Sequence, residues 1–132
     1  MQPRPIPILA AALFAMLGSL AAHASDKAKE QRWADQIVDQ LIEGEPVWLE
    51  AGEDRFLAIL TEADGEPRGS VILMHGMGVH PNWPQVIYPL RTELPRLGWT
   101  TLSLQMPVLP NDAEAVAYVP LFDEVAPRID AA

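Results

Sequence analysis

Residues Ser70–Ile87 read SVILMHGMGVHPNWPQVI. Val71-Ile72-Leu73-Met74 is uninterrupted apolar sequence, the pattern of a strand buried on both faces. His75-Gly76-Met77-Gly78 follows at once, and glycines at 76 and 78 let the backbone turn sharply at the strand's end. Ile87, Leu90, Leu94 and Leu97 recur at helical spacing, so a helix is predicted from Pro84 to about Leu97, with Asn82 as its N-cap and Gly98 closing it. Pro89 and Pro95 lie inside that pattern and predict a kink or a late start. Trp99–Gln105 (WTTLSLQ) reads as a second strand. Strand, glycine turn, helix, strand is a βαβ crossover, which joins parallel strands by a right-handed connection. The fold class is α/β.

The flanking sequence extends this unit on both sides. Ser25 or Asp26 caps a helix running to about Glu43, in which Trp33, Ile37 and Leu41, with Ala34, Val38 and Ile42 beside them, form one apolar stripe. Gly44 and Pro46 stop it. Strands near Val47–Glu50 and Arg55–Glu62, joined through Ala51-Gly52-Glu53-Asp54, predict an antiparallel hairpin. Residues 63–69 (ADGEPRG) are turn-forming. Beyond Pro107 a loop with a turn at Asn111-Asp112 leads to a helix from Pro120. The chain thus divides into residues 1–24, an amphipathic helix within 25–45, and an α/β portion over 46–132.

Residues 1–24 have the organisation of an export signal: Arg4 near the amino terminus, an apolar run from Ile8 to Ala22, and Ala22-His23-Ala24 as a small-x-small cleavage site. At a rise of 1.5 Å per residue the run spans only about 22 Å, short of the roughly 30 Å hydrocarbon core, so it predicts no stable membrane anchor. The expected mature protein is periplasmic or secreted. His23 leaves with the signal, so His75 and His80 are the histidines left for chemistry. The 132-residue chain has a net charge of -9, and removal of Arg4 leaves 8 basic against 18 acidic side chains. Such an excess disfavours nucleic acid and anionic membrane surfaces as partners. With no cysteine there is no disulfide, thiolate metal site or cysteine nucleophile.

Read by itself, an H-G-x-G turn after a buried strand is either a tight connection or a place where uncovered backbone N–H groups meet a ligand at the C-terminal edge of a sheet. A phosphate loop does not fit: neither G-x-x-x-x-G-K-[ST] nor G-x-G-x-x-G is present. Taken together, SVILMHGMGVHPNWPQVI and LRTELPRLGWTTLSLQMPVLPND (Leu90–Asp112) resemble the N-terminal half of an α/β-hydrolase, most closely the exported bacterial domain-of-unknown-function 3530 family, from about Trp33 onward. The resemblance implies serine-type hydrolysis of a small ester-like or acyl substrate, without a cofactor or resident metal. It implies that the Met77 backbone N–H belongs to the oxyanion hole, that Gly76 and Gly78 permit its geometry, and that His75 braces the loop by side-chain hydrogen bonds. His75 is not the expected base, which in this fold follows the nucleophile.

The nucleophile's G-x-S-x-G has no counterpart here. Ser25, Ser70 and Ser103 lack the flanking glycines, and no late Asp-then-His pair follows. The expectation is a chain carrying the oxyanion-loop half of the fold, a fragment or truncated reading frame without hydrolase activity of its own. Hydrolase sheets run 1-2-4-3-5, so Val71–Met74 would then form an exposed apolar edge open to aggregation or self-association.

Two other classes are compatible with parts of the sequence. Met74, His75, Met77 and His80 form a soft-ligand group suited to monovalent copper, with Met74 in the core and His80 flanking Pro81 as the plainer reading. A non-catalytic interaction protein would use the acidic N-terminal helix and the open sheet edge, with Trp33, Trp48, Trp83 and Trp99 as anchors rather than core or rim packing. Glu43, Glu45, Glu50, Glu53 and Asp54 read as a solvated face.

Overall fold

The computed structural model describes residues 24–132. The expected export signal therefore lies outside the described residues, apart from Ala24. The elements are α1 (Lys27–Gln40), β1 (Glu45–Ala51), β2 (Asp54–Thr61), β3 (Gly69–Met74), α2 (Ile87–Arg96), β4 (Trp99–Leu104), a 3-10 helix (Ala115–Leu121) and α3 (Phe122–Asp130). The sheet order is β1-β2-β4-β3. β1 and β2 form the antiparallel hairpin, with Ala51 paired to Asp54 across a two-residue turn whose first residue, Gly52, has φ 64°. β2 runs antiparallel to β4, and β4 parallel to β3. This is the hairpin leading into a βαβ unit that the sequence predicts, in the strand order implied by the hydrolase resemblance.

Alternation along β2 builds the two faces of the core. Leu57 and Ile59 meet Ala34 and Ile37 of α1 on one side. Phe56 and Ala58 join Leu104 and Met106 on the other, against Val125 of α3. The strand with both faces buried is therefore β2, and not β3 as the apolar run suggests. β3 is an edge strand whose Leu73 is buried but whose Ile72 and Met74 are 42% and 51% exposed. Its ladder to β4 explains the difference: Val71 and Leu73 lie level with Thr101 and Ser103 on the α2 side, whereas Ile72 and Met74 lie level with Leu102 and Leu104 on the α3 side. On the α3 side no described element covers the two exposed residues.

Three helix limits differ from the sequence reading. Asp26 caps α1, its side chain accepting the Lys29 N–H at 2.9 Å, but the helix stops at Gln40 because Leu41 is extended. Ile42 is consequently 91% exposed and drops out of the apolar stripe. α2 starts at Ile87 without a side-chain cap. Asn82 is not its N-cap; its carboxamide oxygen accepts from Arg91 Nε at 2.8 Å. Pro95 stays within α2 because the carbonyl it cannot bond, that of Arg91, accepts instead from Thr101 Oγ1 at 3.0 Å. The last helix begins at Phe122, with the 3-10 helix ahead of it absorbing Pro120. Among the described residues no helix is long and apolar enough to cross a membrane.

Candidate active site at the loop after β3

Residues 75–78 leave β3 at its C-terminal end, where Met74 stands level with Leu104. His75 is buried, and its ring joins two backbone groups. The Met106 N–H donates to Nε2 at 2.9 Å, so Nε2 keeps its lone pair. The proton then sits on Nδ1, which donates to the Gly76 carbonyl at 2.9 Å. Burial above all draws the imidazole pKa down from 6.5 to about 4; the Gly76 hydrogen bond opposes this, and His80 and Arg128 add to it. The ring is neutral at pH 7. It ties the loop after β3 to the segment after β4 and has no free nitrogen for proton transfer or for a metal.

The turn that follows depends on one of its two glycines. Gly78 has φ 70°, where a side chain would be strained, whereas Gly76 has no positive φ and open space where a Cβ would stand. Among the described residues the Met77 N–H has no hydrogen-bond acceptor, and its side chain projects into solvent. Met74, Gly76 and Met77 border an apolar cleft of about 700 Å³, to which the 3-10 helix and α3 contribute Tyr118, Val119 and Phe122. A smaller cavity of about 340 Å³ adjoins it, lined by Lys29, Gly78 and Asn111 and sharing Met77 and Tyr118 with the cleft. Nothing in the sequence pattern marks Tyr118 or Phe122 as site residues. They come to the cleft only because the 3-10 helix and α3 pack back over the sheet.

A buried polar network fixes the segment after β4. Glu30 Oε2 and Arg128 Nη2 pair at 2.7 Å, 98 positions apart in the chain. Gln105 joins them: its carbonyl accepts from Arg128 Nη1 at 2.8 Å and its side chain donates to the Glu30 carbonyl at 2.7 Å. Val108 N–H reaches Glu30 Oε1 at 3.3 Å. Met106, which holds His75, sits in the middle of this clamped stretch.

The remaining candidates are elsewhere. His80 packs edge-on between Trp33 and Trp83, with ring centroids at 5.4 and 5.3 Å, and its Nδ1 accepts the Asn82 N–H at 3.2 Å. Burial lowers its pKa. With His75 fully engaged, the Met74, His75, Met77, His80 group offers no imidazole pair for copper. Trp48 packs against the α1 core and Trp99 beside Arg68, both as rim residues. Ser103 is buried and donates to the Pro81 carbonyl at 2.7 Å, and Ser25 donates to Glu124 at 2.7 Å. Among the described residues no serine hydroxyl is bonded to an imidazole.

The sequence model of the family described as "Protein of unknown function (DUF3530)" matches residues 6–127. No curated protein matches the chain. A solved structure described as an alpha-beta serine hydrolase homologue from Coxiella burnetii is similar over 65% of this chain, at 16% identity and a TM-score of 0.43. This chain covers 45% of that one.

Proposed function

This chain belongs to the DUF3530 family, and on that premise we propose that it furnishes the oxyanion-loop half of a serine-type ester or acyl hydrolase. One observation carries the reading. A glycine turn at the end of a parallel strand presents a backbone N–H without an acceptor beside an apolar cleft, and a neutral, doubly bonded histidine holds that turn in place. An amide fixed in this way needs no reorganisation when negative charge develops on a substrate carbonyl oxygen, which is the property an oxyanion hole requires. His75 acts as a brace, and Met77 contributes its main chain. The nucleophile, acid and base come from sequence that this chain does not contain. In the same reading the protein works outside the cytoplasm, after cleavage following Ala24.

The purified chain is expected to be inert toward p-nitrophenyl esters. Turnover abolished by a serine-directed phosphonate would overturn the assignment of the missing half. A second reading, a non-catalytic interaction protein, draws on the exposed Ile72 and Met74 at the β3 edge. It is distinguished by complementation: a polypeptide bearing a strand, G-x-S-x-G and the late acid and histidine restores turnover under the hydrolase reading and does nothing under the other.

A further inference from the structure

We propose that the apolar cleft and the small polar cavity beside it form one site for an acyl carboxylate, its tail in the cleft and its head at Lys29 and Tyr118. Lys29 is 5% exposed, yet among the described residues no carboxylate lies within ion-pair distance of it. Its Nζ donates to the Leu109 carbonyl at 2.8 Å and to Asn111 Oδ1 at 2.7 Å, and lies 4.7 Å from the centroid of the Trp33 ring. All three partners are neutral. Two of the three are hydrogen-bond acceptors, so of the ammonium's three donors one has no hydrogen-bond acceptor and only the Trp33 ring face near it. Of the other buried side-chain cations, Arg128 has Glu30 as its carboxylate and Arg91 is held by the neutral oxygens of the Asn82 side chain and the Glu43 backbone, and neither lines the polar cavity that Lys29 borders. A buried positive charge without a counter-charge, in a chain with net charge -9, is a site waiting for an anion.

Tyr118 links the two compartments. Its hydroxyl accepts the Leu109 N–H at 3.1 Å, which leaves the phenolic proton to donate. A Cβ built on Gly78 would stand 3.9 Å from that hydroxyl, so the phenol lies against the glycine turn. The cleft itself has no charged side chain on its walls, and its volume is in the range that holds small organic ligands. Apolar tail space, a phenolic donor and an uncompensated ammonium occur in that order across two adjoining cavities, which is the arrangement of an acyl carboxylate. The inference rests on the hydrolase reading only in making this ligand the reaction's acyl product; the binding does not depend on it.

Titration of the purified chain with n-alkyl carboxylates from hexanoate to dodecanoate, below their micelle-forming concentrations, tests this by tryptophan emission, since Trp33 adjoins Lys29. Affinity is expected to rise about fourfold per added methylene until the cleft is filled. The 1-alkanol of equal length is expected to bind about tenfold more weakly, because it lacks the charge-assisted bond. Lys29→Met should abolish that preference while sparing alkanol binding, and Tyr118→Phe should weaken the carboxylate about fivefold. If Lys29→Met does not fold, the carboxylate-to-alkanol ratio of the native chain decides alone. Absent binding, affinity independent of chain length, or equal affinity for carboxylate and alkanol would overturn the proposal. Failure here, with the Met77 amide still needed in a complemented enzyme, would leave the hydrolase reading intact; the opposite pair of results would remove that reading and keep the site.

Ser25 carries a separate inference: we infer that processing after Ala24 converts an existing hydrogen bond into an ion pair. Ser25 is buried; its backbone N lies 2.9 Å from Glu124 Oε1 and its Oγ 2.7 Å from Oε2. Hydrolysis of the Ala24–Ser25 peptide bond by a processing peptidase consumes one water, leaves a carboxylate on Ala24 and frees the Ser25 amine. That amine is largely protonated at neutral pH. The new ammonium then faces a carboxylate already in place, shared with Lys27 Nζ at 3.1 Å. A chain beginning at Ser25 should therefore unfold less readily than the same chain acetylated on that nitrogen, about tenfold in the unfolding constant, because acetylation keeps the N–H and removes the charge. Glu124→Gln should erase the difference. Equal stability of the free and acetylated chains, or a difference that persists in Glu124→Gln, would contradict it.

Discussion

His75 is the residue on which the loop's geometry and its acid sensitivity meet. The unfolded imidazole takes up a proton near pH 6.5, and the folded one only near pH 4. Between those values the unfolded state binds more protons, so the stability this neutral ring contributes is complete above pH 6.5 and is lost as pH falls toward 4. The loss amounts to about 3 kcal/mol if the ring alone titrates. Thermal melts across that window should show the slope in the native chain and a flatter one in His75→Gln; equal slopes would separate His75 from the loop's stability. Glu124 acts at lower pH. Burial raises its pKa, but hydrogen bonds from Ser25 and Lys27 outweigh this and hold it below its ordinary 4.5, so its contribution disappears only on further acidification. At this scale the sequence is partly legible. The glycine turn can be read from spacing alone, but the partners of His75 cannot, because Met106 lies 31 positions away.

Among the elements, β3 shows where an apolar run misleads, and α2 where residue propensity does although its spacing predicts the helix. An apolar run such as Val71–Met74 looks the same whether one or both faces are covered, and only the strand order decides that this one lies at the edge. α2 contains a proline that propensity would exclude, and the β4 side chain that accommodates it is invisible to any local pattern. Thr101→Val tests that arrangement. It keeps the shape and removes the donor to the Arg91 carbonyl, which should destabilise the fold by about 1–3 kcal/mol in denaturant unfolding. An unchanged midpoint would mean that the carbonyl finds another donor. The N-terminal helix and the hairpin were readable because capping by Asp26 and the Gly52 turn are local chemistry.

For the whole molecule, the two faces of the sheet are unequally covered. α1 and α2 pack on one, and α3 protects only part of the other, leaving Ile72 and Met74 exposed, with Met74 at the cleft. An uncovered apolar edge strand tends to pair with another chain. Ile72→Lys should therefore reduce concentration-dependent association in sedimentation velocity without lowering the melting temperature; unchanged association would place self-contact elsewhere. The α/β class was legible from the strand, turn, helix, strand succession, and the strand order only through the hydrolase resemblance. The clamp between Glu30 and Arg128 was not, because its ends are joined only by the fold.

The central claim is that the main-chain N–H of Met77 stabilises an oxyanion. It is tested most directly by kcat for p-nitrophenyl ester hydrolysis in the chain complemented with the nucleophile-bearing half, comparing native Met77, Met77→Leu and Met77→Pro. Leucine retains the amide and should leave kcat near the native value, whereas proline removes it and should lower kcat by about 10²–10³-fold. Equal rates for leucine and proline would contradict the claim.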